Sequence, residues 1–255
     1  MRKMRSSGNT VVLAGPGSGK TATLVVKLAH LLAEKIEPPA AQPAPPPAAE
    51  APAGSQPGRR GGRGGFGGGQ KPTEVHEFVI LCLDRQTGKT LWKKVAREEL
   101  PHEGHHGDHG FSSHSPVTDG SHVYAFFGSR GLHCYDMAGN VKWSQDLGDM
   151  RSANGFGEGS SPALSGNAIV VNWDHEGEDF IVALDKNTGK ELWKQPRDEK
   201  TSWSTPFFVR NDHGTEVVVA ATGKVRSYTL AAGNLLWECA GLGGHVIPPP
   251  VVGHG

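Results

Sequence analysis

The sequence predicts a mainly β fold: an open or truncated propeller of four-stranded antiparallel blades, preceded by a short strand, phosphate loop and helix and then by a disordered linker. Three observations lead there. A turn of the form Asp-x-x-Thr-Gly-x-x-x-Trp, or a worn copy of it, recurs four times, as LDRQTGKTLW ending at Trp92, YDMAGNVKW at Trp143, LDKNTGKELW at Trp193 and TLAAGNLLW at Trp237. The tryptophans stand 51, 50 and 44 positions apart. A second marker keeps step with the first: Ser115-Pro116-Val117, Ser161-Pro162-Ala163 and Ser204-Thr205-Pro206 each open a stretch that closes at the next tryptophan turn. Between the markers lie short β-branched or aromatic runs bounded by Gly, Asn or Asp, such as His122-Val123-Tyr124-Ala125-Phe126 and Ala168-Ile169-Val170-Val171. Such runs read as strands, and four in a unit of about fifty residues make a blade that must stack on neighbours to bury its faces.

The turn has a mechanical reading. Gly supplies a positive φ at the tight connection, and the Trp four residues later can lie between blades with its N–H finding a partner. Cys82, Cys134, Ala183 and Ser227 sit two places before the turn's first residue, where neighbouring blades approach closely. The cysteines thus read as packing residues. Cys82 and Cys134 occupy matching places in different blades, so no disulfide is expected between them, and Cys239 is left odd.

The strings VALDKNTGKELW and LCLDRQTGKTLW make residues 74–252 resemble the PQQ-type β-propeller repeat, found in quinoprotein dehydrogenases and in non-enzymatic outer-membrane assembly lipoproteins. The ring is nevertheless short. Three blade-length units can be counted, with part of one before Trp92 and the start of another at Ile247-Pro248-Pro249-Pro250-Val251-Val252. A closed ring takes about four to eight blades. An open array exposes apolar faces and strand edges, so self-association or a protein partner at those edges is expected, and the chain reads as a fragment or fusion.

Residues 1–36 carry a different pattern. Asn9-Thr10-Val11-Val12-Leu13 reads as a strand, Ala14-Gly15-Pro16-Gly17-Ser18-Gly19-Lys20-Thr21 as a phosphate-binding loop, and residues 22–35 as an amphipathic helix. Gly15, Gly17, Ser18 and Gly19 would turn backbone N–H groups toward ATP phosphates, Lys20 would neutralise them, and the Thr21 hydroxyl would hold Mg²⁺. Ala14 stands where the general pattern has Gly. The string VLAGPGSGKT with its Leu-rich sequel resembles the nucleotide loop of UvrD/Rep-like superfamily-one DNA helicases, which would imply an ATP-dependent helicase-like activity. No run ending in paired acids follows, nor a later Arg-bearing helicase motif, and one strand with one helix cannot build the core that holds such a loop.

Residues 37–72 lack apolar periodicity: a Pro/Ala-rich half, then GRRGGRGGFGGGQ, read as a disordered linker. Residues 73–255 form the propeller part. The overall charge of zero is a cancellation, +5 in residues 1–36 and +2 in the linker against −7 in the propeller part. An acidic propeller argues against nucleic-acid binding there, whereas the basic head, with the Arg-Gly-Gly tract around Phe66, retains some capacity for it. No signal peptide or membrane span is evident, although the propeller family is usually periplasmic or exported.

Two polar clusters are candidate sites. His102, His105, His106 and His109, with Glu103, Asp108 and His114, crowd one loop after the first tryptophan turn, a donor set suited to Zn²⁺, Cu²⁺ or Ni²⁺ but without a defined metal spacing. Asn154, Glu158, Asn172, Asp174, His175 and Glu176 are residue types with which quinoproteins hold Ca²⁺ and PQQ. With no paired-cysteine motif and a shortened ring, PQQ and Ca²⁺ binding are not expected. The leading expectation is a non-catalytic propeller module that binds protein or ligand; the alternatives are ATP-dependent enzymology through the P-loop and a quinoprotein dehydrogenase-like enzyme.

Overall fold

The computed structural model describes residues 10–11, 21–25, 69–108 and 110–252. Four four-stranded sheets follow one another along the chain. The second to fourth are antiparallel meanders. They comprise β5 (Val117–Thr118), β6 (His122–Phe126), β7 (Leu132–Asp136) and β8 (Val141–Gln145); β9 (Ala163–Ser165), β10 (Ala168–Trp173), β11 (Phe180–Asp185) and β12 (Glu191–Pro196); and β13 (Phe207–Asn211), β14 (Gly214–Ala220), β15 (Lys224–Thr229) and β16 (Leu235–Ala240). Each is a blade. The Ser-Pro markers open β5, β9 and β13, edge strands where Pro removes no ladder donor that is needed. β5 and β9 touch, while β16 is exposed throughout, so the Pro-led edges face inward and the Trp-bearing strands outward.

The first blade is built differently. β3 (His76–Asp84) pairs antiparallel with β4 (Thr90–Glu99), and the other edge of β3 is taken by β1 (Thr10–Val11), antiparallel, and β2 (Thr21–Val25), parallel. The strand expected around Thr10 and Val11 is present, but the helix expected from residue 22 is not: residues 21–25 are strand, with Thr21 opposite Glu77 and Val25 opposite Leu81. The segment Thr-Ala-Thr-Leu-Val is rich in β-branched residues, and a bare edge of β3 offers it backbone partners that outweigh a local Leu spacing. Gly15, Gly17, Ser18, Gly19 and Lys20 lie outside the described residues, as does the linker up to residue 68. Ile247 to Val252, read as the start of a further blade, contains no strand.

Every blade repeats one irregularity. Cys82, Cys134, Ala183 and Ser227 stand directly across from Trp92, Trp143, Trp193 and Trp237, and the register slips by one at the next pair. The extra residue on the outer strand is a bulge that re-aims the indole toward the following blade. Thus the small residue two places before the turn makes room for its cross-strand tryptophan. Cys82 and Cys134 are buried and free, as their separate blades require, and burial pushes the Cys134 thiol up to about 12.

The core lies between blades. Phe78, Ile80 and Cys82 pack on Val123, Ala125, Phe127 and Tyr135. Tyr124, Phe126, Leu132 and Cys134 meet Ile169, Val171, Phe180 and Val182, and Val170, Ile181 and Ala183 meet Val217, Val219 and Tyr228. Strict alternation along β6 and β10 therefore serves two neighbours, one with each face, whereas β14 meets the preceding blade through Val217 and Val219.

Candidate functional site

The turn motif builds the joints that position everything else. In blade one, Asp84 Oδ1 accepts from the Gln86 and Thr87 N–H groups and the Thr87 hydroxyl, and Asp185 does the same for Asn187 and Thr188. These bonds favour the carboxylate, and hydrogen bonding from Thr87 holds Asp84 below the usual range. Each turn ends on a glycine with positive φ: Gly88, Gly139, Gly189 and Gly233. Over the last three lie the indoles of Trp92, Trp143 and Trp193, whose Nε1 groups donate to the carbonyls of Met137, Lys186 and Leu230 at 3.1, 2.9 and 2.8 Å. Trp237 departs from the expected equivalence. It is 44% exposed and its Nε1 donates within its own blade, to Glu216 Oε2 at 3.1 Å.

A second relay runs along the inner edges. The Ser115 N–H donates to Ser161 Oγ at 2.8 Å, and the Ser161 N–H to Thr205 Oγ1 at 3.1 Å, so the Ser-Pro marker couples each blade to the next.

The loops between blades, roughly 100–116, 146–162 and 197–206, converge beside these edges and enclose two buried ion pairs. Arg130, 2% exposed, lies 3.2 Å from Glu158, which also accepts from the Ser129 N–H at 2.7 Å and hydroxyl at 2.6 Å. Burial pushes the Glu158 carboxyl up, against the pull of Arg130 and Ser129. A Cβ at Gly128 would fall 1.6 Å from Glu158 Oε2, so only glycine admits this carboxylate. The second pair is Asp174 with Arg197, 2.6 Å apart and fully buried on both sides. Asp174 also accepts from Asn172 and Ser202, and Arg197 donates to the Tyr228 hydroxyl at 2.8 Å.

The predicted polar clusters are largely absorbed into this scaffold. His102 Nε2 meets the Met150 carbonyl at 2.5 Å and its Nδ1 meets Arg130 at 3.0 Å. His105 bonds the His106 carbonyl and packs edge-on against Phe111, while His106 packs edge-on against Phe156. His109 lies outside the described residues. Among the described residues, the His and acid groups close enough to share one ion are His102, Glu103 and Glu158, with donor atoms within 4.8 Å of one another. A guanidinium already sits at that centre, and Glu103 is bonded to Ser152. In the second cluster His175 Nδ1 accepts from the Arg151 N–H and Glu176 accepts from Thr201. Asn154 takes a positive φ of 56° in a short turn, a conformation Asn tolerates.

Beside Glu158 opens a cleft of about 560 Å³ that sequence reasoning did not single out. Trp203 and His245 stack at 5.8 Å, Phe156 lies 6.0 Å from His245, and His106, Asp108, Ser113, Glu158, Gly159 and Ile247 also line the walls. The Trp203 Nε1 donates to the Gly157 carbonyl at 2.8 Å and the Trp203 N–H to the Val246 carbonyl at 2.9 Å. The ring is thereby fixed at the wall, and the tail after β16 supplies the other side. The signal available in the sequence was an aromatic directly before the third Ser-Thr-Pro marker, off the tryptophan period.

Blades of four antiparallel strands, joined by a Trp-on-Gly contact around a set of inner edges, define a propeller of PQQ-like repeats. The chain belongs to the family described as outer membrane protein assembly factor BamB, whose model matches residues 76–244. Residues 2–40 match a second model, the UvrD/REP helicase N-terminal domain. Among solved structures, BamB from Moraxella catarrhalis is similar at 19% identity over 68% of this chain and 47% of that one, with a TM-score of 0.48. Quinohemoprotein alcohol dehydrogenase from Comamonas testosteroni is similar at 12% identity over 67% of this chain and 34% of that one, also with a TM-score of 0.48. The chain thus spans less than half the length of these structures. No curated protein matches it. Among the described residues, no helix is long and apolar enough to cross a membrane.

Proposed function

We propose that this chain is a non-catalytic propeller module that binds an apolar or aromatic segment of a protein partner in the cleft walled by Phe156, Trp203 and His245. The observation that carries this reading is the run of aromatic rings along that cleft, with Trp203 fixed at its wall by two hydrogen bonds. Asp174 is held by Arg197 and Glu158 by Arg130, so both carboxylates are engaged in buried ion pairs that brace the loops behind the cleft. The flat rings offer area at little cost in side-chain entropy, as recognition surfaces do. The family's description as an assembly factor agrees with a role in protein contacts, and with a periplasmic or exported location.

Selection of displayed peptides on the immobilised full chain tests this. Binders rich in aromatic or aliphatic residues are expected, with affinity lost in Trp203→Ala while the thermal melt keeps one cooperative transition. Binders indifferent to Trp203→Ala, or dye-linked alcohol or sugar oxidation on adding PQQ and Ca²⁺, would overturn it.

A second reading is favoured by the match at residues 2–40. Gly15, Gly17, Ser18, Gly19 and Lys20 would then hold ATP phosphates, with Thr21 reaching Mg²⁺ only if residues 21–25 leave strand β2, and without turnover, since phosphoryl transfer also needs a placed water and a second metal ligand. ATP binding that vanishes in Lys20→Ala supports it; no binding at millimolar ATP ends it.

A further inference from the structure

Two buried arginines are held in the same way, each by a carboxylate and by aromatic rings. Arg130 lies 3.2 Å from Glu158 Oε1, with its guanidinium carbon 5.7 Å from the Phe78 ring centre and 5.6 Å from that of Phe111. Arg197 lies 2.6 Å from Asp174 Oδ1, with its guanidinium carbon 5.9 Å from the Tyr228 ring centre. A guanidinium suits such surroundings because it is planar, weakly hydrated and always charged. It can meet a ring with its face and a carboxylate with its edge.

The cleft beside Glu158 offers the same elements at larger size. Phe156, Trp203 and His245 supply rings, Asp108 supplies a carboxylate, and among the described residues that line it none is Lys or Arg. The Trp203 Nε1 is committed to the Gly157 carbonyl, so the indole presents its π-system rather than a donor. A Cβ at Gly159 would stand 3.0 Å from Trp203 Cδ1, so glycine there keeps a bare backbone beside the ring. His245 takes a φ of 61°, a left-handed conformation that costs a residue with a Cβ, and its imidazole lies at 23° to the Trp203 plane. Strain of that kind collects at ligand clamps. The charge in the cleft sits on Asp108, because Glu158 is already engaged by Arg130. The Asp108 side chain is 91% exposed, and the basic group beside it is His106, with Nδ1 3.4 Å from Oδ2. That nitrogen accepts from the Asp108 N–H at 3.2 Å, so in this geometry it carries no proton to offer the carboxylate. The net charge of −7 over residues 73–255 favours a cationic ligand as well.

We infer that the partner segment bound in this cleft carries an arginine next to its apolar or aromatic residue, with the guanidinium against the aromatic wall and its charge met by Asp108. This rests on the reading of the cleft as a site for a protein segment, and it adds the side chain that makes the site selective. Lysine fits less well, since a compact, strongly hydrated ammonium gains less from a flat ring and a single carboxylate.

Calorimetric titration of the full chain with the synthetic peptide acetyl-Gly-Phe-Arg-Leu-Gly-amide tests it, beside the same peptide with lysine or with citrulline, an uncharged isostere, in place of arginine. The arginine peptide should bind about tenfold more tightly than the citrulline peptide and about threefold more tightly than the lysine peptide. Added salt should narrow the first gap. Asp108→Asn should weaken the arginine peptide and leave the citrulline peptide unmoved, a difference that a collapsed cleft would not give. Trp203→Ala, with its single cooperative melt retained, should weaken all three. Equal affinity for the arginine peptide and either substitute, or an Asp108→Asn effect of the same size on the arginine and citrulline peptides, would overturn the arginine assignment and leave the apolar reading standing. No binding of any peptide at millimolar concentration, or binding indifferent to Trp203→Ala, would overturn both.

Discussion

The Trp143 indole lies over Gly189 of the following blade so closely that an added Cβ would stand 2.6 Å from the ring, and its Nε1 reaches the Lys186 carbonyl at 2.9 Å. The glycine thus has two duties, a left-handed φ of 71° and an empty face. Its neighbour in sequence, Thr188, holds the turn through Asp185.

Those duties separate by mutation. Gly166→Ala changes a residue of φ 58° with open space around it, so it should cost about 1–2 kcal/mol, the strain of the left-handed region alone. Gly189→Ala adds an overlap with Trp143 and should cost about 2–5 kcal/mol. Urea unfolding of both variants, compared with the parent, checks the difference.

The tryptophans should divide three to one. Trp193→Ala removes a ring that is 7% exposed and a blade-to-blade hydrogen bond, and should destabilise by about 3–5 kcal/mol. Trp237→Ala should cost about 1 kcal/mol or less because its ring is 44% exposed. Thermal melts at low micromolar protein make the comparison.

Asp174→Asn should be among the most damaging polar substitutions. It leaves the Arg197 guanidinium fully buried without its carboxylate, at a cost of about 3–5 kcal/mol. Glu176→Gln, which frees the largely exposed Lys200, should change stability by less than about 1 kcal/mol. Denaturant titration of the two variants reads the contrast.

Burial holds the His133 imidazole below its ordinary value; its Nε2 meets the Arg130 carbonyl at 2.9 Å and its Nδ1 the Ser144 hydroxyl at 3.0 Å. A folded-state value below the unfolded one, about 6.5, means the folded state resists protonation. This stability is complete above about pH 6.5 and is lost as pH falls from there through the folded value. Melting temperature should therefore decline on acidification below about pH 6.5, and His133→Gln should flatten that decline. An unchanged slope would remove His133 from the account.

The sequence by itself determined the repeat and the local chemistry that makes it. An Asp or its substitute, a glycine and a tryptophan at constant offsets specify a turn whose bonds are satisfied within a few residues, so the turn appears wherever the string appears. The small residue two places before the turn was legible too, although its purpose, standing across from its own blade's tryptophan beside a bulge, required the register. Tertiary structure decided what depends on partners distant in the chain. Residues 21–25 took strand from the free edge of β3 rather than helix from their own leucines. The histidine loop carried a metal-like composition, yet His102 was drawn to Arg130 and Met150 because a buried guanidinium and carbonyl need partners more than the loop needs an ion. Trp203 and His245 became a cleft wall only when the tail folded back to accept the Trp203 N–H. Trp237 ends a worn copy of the same string, with the glycine and tryptophan offsets kept, and has no neighbouring blade among the described residues to receive it, a difference that no local pattern encodes.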